Sequence, residues 1–287
     1  MSSPLLPAFL APLLFGLGTV ASKALLADIP PVLLAGLLYL GSGVGLGSVW
    51  LWRARAGKSG SPLAAPDAPW LAGAILCGGV AGPVLLMWGL SRTSASTASL
   101  LLNLETCFTA LLAWTLFRER GTLRLAAGVG LAFAGASVLS WPEGGSWGDA
   151  RLEGSLLVAA ACLAWGFDNN LSQRISGKDP VAIAALKGLI AGVVNTAWAF
   201  GMGAAVPDAG HVGKACALGF VSYGLSLVCF ILSLRNVGAA RTGLYFALAP
   251  FVGAAGGLLF LGEPVTGRLL AAAALMAGGV WLGHERR

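Results

Sequence analysis

Apolar residues along this chain fall into long runs separated by short polar or Gly/Pro-containing breaks. Ten runs come close to the roughly 20 residues that cross a bilayer as a helix. They lie at about Leu5 to Leu26, Pro31 to Trp52, Pro69 to Leu90, Ala95 to Phe117 and Thr122 to Ser140. The second five run from about Gly154 to Arg174, Val181 to Met202, Val212 to Leu234, Ala239 to Leu261 and Gly267 to Leu282. The pattern predicts an all-α integral membrane protein with ten transmembrane helices and little chain left for a soluble domain. No basic residue precedes the first run and nine more runs follow it, so it is expected to span rather than to be cleaved as a signal peptide.

Composition points the same way. Of 287 residues 57% are hydrophobic and 10% are charged, whereas soluble domains carry about a quarter charged residues. Positive charge near helix ends is retained on the cytoplasmic side. With the N-terminus inside, twelve basic residues, Arg53, Arg55, Lys58, Arg118, Arg120, Arg124, Arg174, Lys178, Arg235, Arg241, Arg286 and Arg287, fall in inner segments. Five fall in outer ones, Lys23, Arg92, Arg151, Lys214 and Arg268, and Lys187 lies within a helix. Both termini are therefore expected in the cytoplasm, with the chain multi-pass in a bacterial inner membrane. The net charge of +6 follows from this bias and suits an anionic inner leaflet; no nucleic-acid partner is implied. Trp50, Trp52, Trp70, Trp141 and Trp281 fall at helix ends, as an aromatic belt would.

The five cysteines show no CxxC spacing, and His211 and His284 are expected outside the helices. Neither a metal site nor a disulfide framework is indicated. Gly16-Leu17-Gly18 lacks the rest of a dinucleotide fingerprint and no phosphate loop is present, so no cofactor is expected.

The chain repeats itself. "LRLAAGVGLAFAG" from Leu123 lies on "GRLLAAAALMAGG" from Gly267 at an offset of 144, pairing Glu119 with Glu263 and Arg124 with Arg268. Near the start of each half the offset is 150, placing Phe15-Gly16 on Trp165-Gly166 and Pro30 on Pro180. Residues 1–148 and 149–287 then form two five-helix repeats. Because five is odd, the second must enter the membrane from the opposite face, which gives inverted repeats with a central cavity between them, a transporter plan. Gly41, Gly43, Gly45 and Gly47, and Gly253 with Gly257, have the small-residue spacing that lets helices approach closely.

"FGLGTVASKALLADIPPVLLAGLLY", "WGLSRTSASTASLLLNLE" and the twice-occurring Glu before an AxxG-rich last helix resemble the ten-helix EamA branch of the drug/metabolite transporter superfamily. The resemblance covers essentially the whole chain. It implies a secondary transporter, not an enzyme, from a group that exports amino acids and related metabolites, expels toxic compounds or takes up small molecules. One departure stands out: the position matching Glu105 in the second half is Ala249. Glu119 and Glu263 fall beside Thr122 and Thr266, where they are expected to cap and order the turn.

A charge at the centre of a spanning helix costs about 3 kcal/mol on insertion scales, so such groups face a cavity or one another. Asp168 and Lys187 lie about six residues from the same membrane face on consecutive helices, roughly 9 Å deep at about 1.5 Å per residue. They are expected either to form an ion pair, helped by Asn169 and Asn170, or to line the cytoplasmic half of a pathway. Glu105 sits near the middle of its run, flanked by Asn103 and Thr109. Either it is a neutral, hydrogen-bonded acid packing its helix, or it lines the cavity and binds an ammonium or a coupling proton. Tyr39, Tyr223 and Tyr245 all fall inside helices rather than at the belts. With Trp165 they are candidate cavity walls, or else they bond between helices.

The candidate substrate-binding set is therefore Glu105, Asn103, Tyr39, Tyr223, Tyr245, Trp165, Asp168, Asn169 and Lys187. The favoured function is export of amino acids or similar small metabolites by alternating access, from a monomer or weak homo-oligomer within the lipid bilayer. A proton-coupled exporter of drugs or cationic compounds is the alternative. An intramembrane lipid-modifying enzyme is a more distant one, since it needs a clustered catalytic constellation that is not visible.

Overall fold

A computed structural model describes residues 5–58, 60–116, 122–141, 150–237, 242 and 245–283. Every regular element among the described residues is helical: α1 (Leu6–Leu25), α2 (Pro31–Arg55), α3 (Ala68–Ala74), α4 (Gly82–Arg92), α5 (Ala95–Leu101), α6 (Leu104–Thr115) and α7 (Leu123–Ser140). Then follow α8 (Ala150–Gln173), α9 (Pro180–Gly201), α10 (Ala209–Gly219), α11 (Ser226–Val237), α12 (Ala249–Phe260) and α13 (Gly267–Gly283). Among the described residues seven helical stretches are long and apolar enough to cross a membrane, and α12 and α13 are shorter apolar helices. Helix α8 is 24 residues long, but Asp168, Asn169, Asn170, Ser172 and Gln173 make its last turns polar.

Several expected spans are not continuous α-helices. A π-helical stretch, Ile75–Ala81, joins α3 to α4. Pro83, just beyond it, has no N–H to bond the Gly79 carbonyl four residues back or the Gly78 carbonyl five back. A second π stretch, Phe220–Leu225, joins α10 to α11, where the Ser226 hydroxyl donates to the Ser222 carbonyl at 2.5 Å. The fourth expected span breaks at Leu102–Asn103 between α5 and α6, and the ninth turns at Ala247–Leu248 before α12. The two π stretches begin 145 residues apart and end 144 apart, close to the repeat offset.

Packing pairs the halves. Helix α2 runs along α9, α7 along α13, α8 against α4 and α6, and α1 against α11 and α12. At the crossing of α2 and α9, a Cβ on Gly188 would stand 2.7 Å from Gly43 Cα. At that of α7 and α13, a Cβ on Gly128 would meet Gly279 O at 2.6 Å, and one on Gly135 would meet Ala272 O at 3.0 Å. Positions 272 and 279 are 128 and 135 advanced by 144, so the two contacts exchange under the repeat offset. The expected close approach of glycine-bearing helices is thus present.

Corrections fall at the turns. Glu263 does not cap its own turn: Thr266 does, accepting from Leu269 N at 3.2 Å, as Thr122 does from Leu125 N. Instead the Glu263 carboxylate accepts from Ala95 N at 2.6 Å and Ser96 N at 2.8 Å, at the start of α5 in the other half. Glu119 and His284 lie outside the described residues. His211 lies in the first turn of α10, not outside the helices.

Polar ties join the turns at both faces. Asp179, which caps α9, accepts from Gly60 N at 2.7 Å and Val181 N at 2.9 Å, and lies 3.6 Å from Arg53. Burial alone would push its carboxyl up, but the Gly60, Val181 and Ala182 N–H groups and the Arg53 charge outweigh burial and hold it below the usual carboxylate range. Lys178 pairs with Asp67 at 3.1 Å on that face, and His211 approaches Asp28 at 3.4 Å on the other.

Candidate substrate-binding site

The break at Leu102–Asn103 places Glu105 in the first turn of α6, where the positive end of the helix dipole favours a carboxylate. Asn169 Nδ2, on α8, donates to Glu105 Oε1 at 2.9 Å and to Thr109 Oγ1 at 3.1 Å. Thr109, one turn on, donates its hydroxyl to the Glu105 carbonyl at 2.8 Å. Asn170 Nδ2 closes the seam, bonding Thr109 O at 3.1 Å and Gly166 O at 2.8 Å. Helices α6 and α8 are therefore joined by amides that hold the carboxylate in one orientation.

Glu105 is half-buried and lines a cavity of about 360 Å³. Phe15 of α1, Phe230 of α11, Phe246, Ala249 and Pro250 around the start of α12, Val129 and Ala132 of α7, and Gly279 of α13 complete most of its wall. The lining is mainly apolar, and Glu105 is its charged residue. Ala249, the position matching Glu105 in the second half, borders the same space.

A second polar cluster surrounds the π stretch at Ile75–Ala81. Tyr39 OH donates to the Gly78 carbonyl at 2.8 Å, as does Trp165 Nε1 at 3.0 Å, and Asn195 Nδ2 donates to Gly79 O at 3.0 Å. These carbonyls are available because Pro83, five residues on from Gly78 and four on from Gly79, has no N–H to give to either. Asp168 lies directly on Gly78, where a Cβ would fall 1.9 Å from its Oδ2. Lys187 Nζ pairs with Asp168 Oδ2, and Ser172 Oγ donates to Oδ1 at 3.0 Å. The pair is well buried, with side-chain exposures of 18% and 7%.

The expected residues thus divide. Asp168, Lys187, Tyr39 and Trp165 gather at the π stretch, and Tyr39 and Tyr223 approach with ring centroids 5.7 Å apart. Asn169 leaves the Asp168 pair and turns to Glu105. Asn103 borders the cavity, but its amide donates to Leu100 O at 2.9 Å and lies 3.8 Å from Met276 Sδ. Tyr245 stands apart against Phe9, 4.8 Å between centroids. Phe230, Phe246 and Asn195 were missed by sequence reasoning. Asn195 carried a usable signal: it is an amide two turns beyond Lys187 on α9, and it is fully buried. No cluster of three metal-ligating side chains occurs among the described residues.

A helical bundle with several membrane-length apolar helices and a cavity bordered by both halves of the chain is the frame of a multi-pass membrane protein. The chain belongs to the EamA-like transporter family, whose sequence model matches it twice, over residues 2–141 and 152–283. It is 28% identical over 268 residues to an "Uncharacterized transporter" of Methanothermobacter thermautotrophicus, covering 88% of this chain and 78% of that one. It is 31% identical over 237 residues to a "Probable terminal-alkyne amino-acid exporter" of Streptantibioticus cattleyicolor, covering 77% and 75%. A protein of known crystal structure, 24% identical, superposes over 98% of this chain and 95% of its own with a TM-score of 0.68, which shows the fold.

Proposed function

We propose that the chain is a secondary transporter of the inner membrane that exports amino acids or similar small metabolites by alternating access. Its ten spans would form two inverted repeats, residues 1–148 and 149–287, with both termini cytoplasmic. The pairing of α2 with α9 and α7 with α13, and the repeated π stretches, support that arrangement. The observation that carries the substrate reading is Glu105, a carboxylate fixed by Asn169 in an otherwise mainly apolar cavity. In that role it binds the substrate ammonium while the phenyl rings and Val129 receive the apolar part. The S. cattleyicolor relative, named as an amino-acid exporter, adds support. Asp168 and Lys187, joined as a pair, brace α8, α9 and the π stretch, with Tyr39, Tyr223 and Trp165 closing the interior around them.

The aromatic, apolar lining also favours a second reading, export of lipophilic cations in exchange for protons carried by Glu105. Counterflow in proteoliposomes tests both, with a panel of amino acids and organic cations and with or without a pH gradient. Amino-acid flux that persists without a gradient supports the first reading; cation flux that requires one supports the second. Flux of neither class overturns both.

A further inference from the structure

Between the Glu105 cavity and the face that the charge pattern assigns to the outside, three segments run in contact: the second half of α1, α5 and α12. Each reaches the cavity wall, α1 at Phe15, α5 at Leu102 just past its end, and α12 at Ala249. Outward from there they meet at backbone distance. A Cβ on Gly16 would strike the Ala249 carbonyl, and one on Gly253 would stand 2.5 Å from Ser99 Oγ. One on Gly256 would lie 2.8 Å from Val20 Cγ2, and one on Gly257 2.9 Å from Ser96 N. Contact without intervening side chains at four positions closes the space between the segments. At the outer end Lys23, on α1, donates to Leu90 O at 2.6 Å and Thr93 O at 2.8 Å where α4 ends. Glu263, in the turn after α12, holds Ala95 N and Ser96 N where α5 begins. Opposite charges thus grip the α4–α5 turn through backbone groups that helix ends leave unpaired. Inside this seal Ser96 and Ser99, on one face of α5, are 3% and 1% exposed. Ser99 Oγ faces Gly253 and has no hydrogen-bond partner among the described residues. A buried hydroxyl left unpaired opposes closed packing. Beyond the seal, Ser96 and Thr97 border a further cavity of about 380 Å³, so the two serines stand between one open space and another. The cost at Ser99 is accounted for if the seal parts during the cycle and water or substrate reaches the hydroxyl.

We propose that the Ser96 and Ser99 face of α5 forms the outer half of the substrate path, sealed in this conformation by Gly253 and Gly257 and latched by Glu263 and Lys23. The proposal rests on the reading of the Glu105 cavity as the transport site, but its test needs neither a substrate nor a gradient. Ser99→Cys is exposed to a membrane-impermeant maleimide, in intact cells and in inverted membrane vesicles. Modification is measured at the substituted position by peptide mass spectrometry, so the five native cysteines do not interfere. Val206→Cys and Lys58→Cys, at exposed positions between helices, show which preparation presents which face, so a reversed orientation is detected separately. Ala199→Cys, on α9 and 1% exposed, reports general loosening. Each chain is compared with its Glu263→Ala form, which removes both bonds to α5. Lys23→Met serves if Glu263→Ala does not fold, and Ser96→Cys if Ser99→Cys does not.

The expected result, on the face that modifies position 206, is slow reaction at position 99 while the latch is intact. Glu263→Ala should raise that rate severalfold and leave positions 206 and 199 unchanged. Reaction at position 99 as fast as at 206 with the latch intact overturns the seal. An unchanged rate at position 99 in a latch variant that thermal unfolding shows to be folded overturns the proposal. So does an equal rise at position 199, which is the signature of a loosened bundle.

Discussion

In the first half the π stretch at Ile75–Ala81 presents Gly78 and Gly79, and Asp168 rests on Gly78 with Lys187 beside it. In the second half the π stretch at Phe220–Leu225 presents Ser222 and Tyr223 at the matching positions, and Gly18 rests on Ser222. The contacts correspond, because Ser222 is Gly78 advanced by 144 and Gly18 is Asp168 set back by 150. Glu105 and Ala249 differ in the same way around one cavity. The matched π stretches and contacts recur in both halves, whereas in each of these matched pairs one member carries a charge and the other does not, Asp168 against Gly18 and Glu105 against Ala249. What shapes the bundle is thus separable from what gives it chemistry, and substitutions at matched positions can show that separation.

The largest effect is expected at the ion pair. Asp168→Asn leaves the Lys187 ammonium buried without its partner, which costs about 3–5 kcal/mol, and unfolding in detergent should occur at a clearly lower temperature. Neutralising Lys187 as well, in Asp168→Asn/Lys187→Met, should recover part of the loss. Without recovery, the pair is not what holds α8 to α9. Next come the matched glycines. Gly78→Ala drives a methyl into the paired carboxylate, and an overpacked interior loses about 1–3 kcal/mol. Gly18→Ala meets only Ser222, its Cβ 2.7 Å from Ser222 Cβ, so Ser222→Gly should relieve it. If Ser222→Gly gives no relief, the two contacts are not equivalent.

Much of this was legible in the sequence. Run lengths marked the seven stretches that are long and apolar enough to span among the described residues, and equal depth on consecutive helices brought Asp168 to Lys187. The roles of Asn169 and Asn170 were not legible, because each residue turns a helix by about 100°. Neighbours in sequence therefore face different partners, and Asp168 points to α9 while its successors reach α6. The π stretches and the break before Glu105 were hidden inside unbroken apolar runs; only Pro83 and Pro250 marked two of the four interruptions. Glu263 bonds a helix start 167 and 168 residues away, a distance no local capping pattern encodes.

A smaller effect contrasts the two faces. Asp179 is held below the usual carboxylate range, so its ties to Gly60 and α9 contribute stability above about pH 4, the ordinary aspartate value, and lose it as pH falls through the lower folded value. Hydrogen exchange at Gly60 should quicken on acidification in the native protein and be already fast and pH-independent in Asp179→Ala, apart from the intrinsic exchange rate. Identical profiles would remove the clasp from the account.

The most direct test is transport by Glu105→Gln in proteoliposomes across a range of pH, beside Ala249→Gln, its match in the other half. The account predicts that Glu105→Gln loses most flux, or its dependence on pH, while its unfolding temperature stays near that of the native protein and Ala249→Gln retains the native pH profile. Native rates and native pH dependence in Glu105→Gln for every substrate carried would contradict it.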